Sequence, residues 1–96
     1  MRNIILHENV VRKLEAAAQW YEEQQVGLGE DFIYEFETLL KYIDQIPFAF
    51  PRAFGKYRQV MLKRFPFIIL YKIESKTIEI SNLIHAKQHP RKRKNP

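Results

Sequence analysis

In the stretch SNLIHAKQHPRKRKNP, His85 and His89 stand four residues apart, just ahead of a run of arginines and lysines. Imidazoles in such a setting could ligate a metal, move protons, or help to bind an anion. The metal reading fails on geometry. A four-residue spacing brings two side chains together only on a helix, and Pro90 with the extended pattern before it argues against one. His7 is the remaining histidine and lies far away in the chain, so no metal site is expected, and no cofactor. Nucleophilic catalysis is equally thin. There is no cysteine, and neither Ser75 nor Ser81 sits in a G-x-S-x-G turn. What is left is a basic surface. Arg58, Lys63, Arg64, His85, His89, Arg91 and Lys92, with Lys87, could together neutralise phosphates or the carboxylates of an acidic partner. Guanidinium and imidazole groups could also stabilise charge developing on a scissile RNA phosphate, which makes Lys63, Arg64 and His85 the candidates if the chain is a ribonuclease.

The charge distribution sharpens this. Residues 1–46 carry nine acids against four bases, and residues 47–96 carry twelve bases against two acids, Glu74 and Glu79. The net charge of +5 therefore comes from the second half, which is expected to supply a basic working face. Arg91 to Lys94 can also be read as a solvated tail.

These groups must be positioned by a small domain. Ninety-six residues suffice for one hydrophobic core, and 46% hydrophobic with 28% charged residues is the balance of a folded chain. Asn3–His7 reads as a first strand. From Asn9 to Gln25 apolar residues recur with helical spacing (Val10, Leu14, Ala17, Ala18, Tyr21), with Asn9 as a plausible N-cap. Gly27 suits a left-handed helix end, and Glu30 and Asp31 suit the first turn of a second helix bearing Phe32, Phe36, Leu39, Leu40 and Ile43. IPFAFPRAFG is a connector. Strands follow at 57–65, 67–73 and 77–85, with Pro66 at a turn. The expected class is α+β: a β-α-α-β-β-β order, with a helical hairpin packed on a small, mostly antiparallel, four-stranded sheet. Residues 1–90 form the domain and 91–96 a basic tail. Alternation along the last strand groups Ile78, Ile80 and Ile84, and puts His85 with Glu79 on the opposite face. MRNIILHENV is too short in apolar residues for a signal peptide, and FPFIILY is far short of the ~20 residues of a membrane helix, so a cytoplasmic chain without a membrane partner is expected.

The ordered segments LEAAAQWYEEQQVGLGEDF, IPFAFP, YRQVMLKRFPFIILYKI and IEISNLIHAKQHP resemble the RelE/ParE toxin superfamily, closest to its ParE-like, plasmid-stabilisation branch. The resemblance runs from about residue 8 to Pro90. By it, His85 and Pro90 take the places of the strand-ending histidine and the following proline. Arg58 matches an arginine that opens the second strand, and Tyr71 a tyrosine of the third. Gln88 stands where an arginine is common, and His89 where an acid is frequent. Two activities are implied by the two branches. RelE-like members cleave mRNA on the ribosome, using basic residues that here fall near Gln59, Met61 and Ile68. ParE-like members inhibit DNA gyrase and are not enzymes. The resemblance favours the second, implies a cognate antitoxin as partner, and leaves open an orphan that has lost toxicity. Trp20, Tyr34 and Tyr42 are candidate aromatic anchors for such a partner, or ordinary packing residues of the hairpin.

Overall fold

Helix α1 (Glu8–Gln24) and helix α2 (Leu28–Gln45) each bury one stripe. Val10 of α1 is fully buried, with Leu14, Ala17, Ala18 and Tyr21 packed beside it; Phe32, Phe36 and Ile43 of α2 are buried against the same core. The computed structural model describes residues 2–88, so His89 and the proposed tail 91–96 lie outside the described residues. The helix is capped two residues earlier than its sequence suggests: His7, in extended conformation, is the N-cap instead of Asn9.

The turn between the helices is fixed by two glycines and one carboxylate. Gly27 has φ 90°, which disfavours any side chain. Glu22 accepts the N–H of Gly27 at 2.9 Å and that of Gly29 at 3.0 Å, so an anion sits at the start of α2. A Cβ on Gly29 would lie 2.5 Å from the carbonyl oxygen of Ala18, a measure of how closely the helices approach.

The helical hairpin covers one face of a sheet that has five strands among the described residues, in the order β1 (Asn3–Leu6), β5 (Thr77–His85), β4 (Phe67–Ile73), β3 (Tyr57–Met61), β2 (Arg52–Phe54). Strands β3, β4 and β5 are consecutive antiparallel neighbours, and β1 lies parallel to β5. The fold class is the one expected, with one strand more. Within the connector, β2 (Arg52–Phe54) pairs with β3 through a two-residue turn at Gly55. The expected strand at 57–65 ends at Met61, because the amides of Lys63 and Arg64 turn aside to the carboxylate of Glu35 on α2.

Phe67, Ile69, Tyr71 and Ile73 of β4 face the helices, leaving Ile68, Leu70 and Lys72 on the other face. In β5 the register shifts: Leu70 is opposite Asn82, but Tyr71 is opposite Ile80. Ser81 is therefore an extra residue, a β-bulge, and the alternation reverses across it. Ile78 and Ile80 share the core with Leu83, not Ile84, and His85 follows Leu83 to the helix side. The expectation that His85 lies on the face opposite the isoleucines is corrected by this one residue.

Candidate functional site

The candidate residues divide between two ends of the sheet. At one end, the loop 62–66 carries Lys63 and Arg64, and its neighbour across the sheet is the end of β5. Phe67 is opposite His85, and the Ala86 N–H donates to the Pro66 carbonyl at 2.7 Å. Tyr21, Phe32, Phe65 and Phe67 pack edge-on beneath them, and the His85 ring lies 5.1 Å from that of Phe67. Arg64 lies over the Phe65 ring and reaches Asp31 at 3.3 Å, so its charge is partly answered within the fold. Lys63 is exposed.

Arg58 lies at the other end and is turned inward onto the connector. Its guanidinium donates to the carbonyls of Phe48 at 3.3 Å and Phe50 at 2.6 Å and lies over the Phe48 ring, whose other neighbour is Arg2. Beside it the hydroxyl of the buried Tyr71 donates to the Pro47 carbonyl at 2.6 Å. Burial pushes the Tyr71 hydroxyl up to about 12, with Arg58 pulling slightly the other way. Arg58 is thus committed to holding the connector. His89, Arg91 and Lys92 lie outside the described residues.

The Nδ1 of His85 accepts the Lys87 N–H at 3.1 Å, an arrangement that in the neutral ring places the proton on Nε2. A ring in this tautomer presents a donor, not a base, to anything that approaches Nε2.

The face of the sheet turned away from the helices carries Gln59, Met61, Ile68 and Leu70, with Ile84 opposite Ile68. Its charged groups neutralise one another at the far end. Glu79 is held below the usual carboxylate range by the hydrogen bond from His7 first and Lys72 next, and Lys72 is raised chiefly by Glu79.

Between α1 and the end of β5 lies an open groove of about 830 Å³, floored by Leu83 and Phe67 and walled by Ala16, Ala17 and Trp20. Trp20 is 56% exposed, so it lines the groove and is not a core residue. Tyr34 and Tyr42 are exposed on α2 and do not line it. Lys13 and Asn82 close the groove's other end, with the Lys13 ammonium donating to the Asn82 amide oxygen at 2.7 Å. Neither was legible as a site residue in the sequence. The signal for Asn82 is slight: a polar residue directly before the apolar pair Leu83 and Ile84.

No family model matches the sequence, and no curated protein matches it. Among solved structures, a chain of the chromosomal ParDE TA system from P. aeruginosa is similar, with a TM-score of 0.64 over 88% of this chain and 96% of that one, at 15% identity. At that identity the likeness is one of fold. It is the fold that the sequence resemblance implied, and it extends over nearly the whole of both chains. Among the described residues no helix is long and apolar enough to cross a membrane.

Proposed function

We propose that this chain is the toxin of a type II toxin–antitoxin module, silenced by a cognate antitoxin, and that the free protein inhibits DNA gyrase in the cytoplasm. The toxin reading is supported by the near-complete overlap of its fold with a chain of a ParDE TA system. The preference for gyrase over mRNA is supported by the sheet. The positions where an RNA-cleaving relative would carry cations hold Gln59, Met61 and Ile68, and the tautomer of His85 suits binding better than proton abstraction. On this reading residues 1–90 act as one unit, and Lys63, Arg64 and His85 belong to a basic contact surface; His89, Arg91 and Lys92, proposed for the same role, lie outside the described residues.

The test is inducible expression without an antitoxin, following pulse-labelled DNA and protein synthesis, together with supercoiling by purified gyrase. Early loss of DNA synthesis and loss of supercoiling are expected. Early loss of protein synthesis would instead make the chain an mRNA endonuclease, with Lys63, Arg64 and His85 the groups to replace. Unimpaired growth would leave a binding module without toxicity.

A further inference from the structure

The side of β5 that faces β1 changes character at Ile80. Up to that residue it is paired: Leu6 lies opposite Ile80, and the His7 N–H donates to the Ile80 carbonyl. There β1 ends and the chain rises into α1. Beyond it, among the described residues, no strand pairs with β5 on this side.

The register tells which groups that leaves outward. The Ala86 N–H bonds to Pro66 across the β4 side. In an antiparallel pair, hydrogen-bonded positions alternate with non-bonded ones, so Asn82 and Ile84 bond towards β4 while Leu83 and His85 point their N–H and C=O away from it. One outward donor of this edge is covered by a local side chain: the Leu83 N–H is taken by the amide oxygen of Asn82 at 2.9 Å. Just past the strand, the Lys87 N–H is taken by His85 Nδ1 at 3.1 Å. An open edge guarded in this way, beside an apolar groove, has the form of a strand-addition site.

We infer that the Ser81–His85 edge receives an extended segment of a partner protein, which continues the sheet where β1 leaves it. One alternate set of its side chains is apolar and packs beneath Trp20 against Ala16 and Ala17. The segment is acidic elsewhere, because the cations at the rim are Lys13, held only by an amide oxygen, and the exposed Lys87. On entry the strand replaces Asn82 at the Leu83 N–H, and Lys13 passes from Asn82 to a carboxylate. The inference takes the existence of a silencing partner from the function proposed above, but its test requires no toxicity.

The probe is a capped seven-residue peptide alternating glutamate and valine, titrated into the ¹⁵N-labelled chain, with a helix-forming peptide of the same charge as comparison. The expected result is slowed amide exchange at Leu83 and His85 with the extended peptide alone. Asn82→Ala, which removes the guard, should tighten binding about threefold, and Lys13→Glu should weaken it about three- to tenfold, the scale of exposed charge pairs. Both positions are partly or fully exposed, so the fold should survive. Unchanged exchange at Leu83 and His85 at millimolar peptide would overturn the inference. So would equal binding of the helical peptide, weaker binding by Asn82→Ala, or an edge already protected in a self-associated chain. Peptide binding by a chain that proves harmless to cells would keep the edge site and remove the toxin reading; growth arrest without peptide binding would do the reverse.

Discussion

Tyr71 is among the largest side chains fully buried in the core, and its single polar atom is answered by one carbonyl. Replacing it with phenylalanine keeps the ring and strands the buried Pro47 carbonyl, at a cost of about 1–3 kcal/mol. Chemical denaturation should show that loss at neutral pH. The alkaline limb adds a second signature. A hydroxyl that titrates near 12 when folded and near 10 when unfolded stabilises the fold fully below pH 10 and loses that contribution as pH rises towards 12. The Tyr71→Phe variant should therefore lose stability less steeply than the parent between pH 10 and 12. Arg58 was legible in the sequence as a cation but not as a clamp. Nothing local to YRQV announces that its guanidinium will be spent on the carbonyls of Phe48 and Phe50.

At the scale of elements, two carboxylates fasten turns. In most helices a glycine replaced by alanine gains up to ~1 kcal/mol of propensity. At Gly29 the sign should reverse, because the new methyl group meets the Ala18 carbonyl, and overpacking of this kind costs about 1–3 kcal/mol. Thermal unfolding of Gly29→Ala checks it. Glu35 holds the amides of Lys63 and Arg64, so Glu35→Ala should free the loop that carries the two cations. About 0.5–2 kcal/mol, the range for side-chain caps of backbone donors, should be lost, with faster exchange at those two amides. The helices, the three long strands and the turn at Gly27 follow from periodicity and glycine alone. The end of β3 does not, since it depends on an acid 28 positions away. Nor does the face of His85: alternation is reliable only while the register holds, and Ser81 breaks it.

At the scale of the whole molecule, the excess of positive charge in the second half was legible, but its placement was not. Arg58 and Arg2 flank Phe48 at one end, Lys63 and Arg64 occupy the other, and Lys72 is absorbed by Glu79. The groove escaped the sequence for a similar reason. Its walls come from α1 and its floor from β4 and β5, and what makes it a groove is that β1 stops early.

The parallel pairing of β1 with β5 has a consequence for how the protein is made. Asn3 is opposite Thr77 and Leu6 opposite Ile80, so among the described strands β1 has its partner in β5, which is made only after both helices and the three strands between. At translation rates of about 5–20 residues per second, the wait for that partner is several seconds. The helical hairpin is local and can form meanwhile, but the sheet beneath it cannot close until β5 has emerged. A nascent chain is thus without its complete core, and without the edge of β5, until β5 itself has been made. Any partner that recognises that edge has its first opportunity at the moment the fold closes.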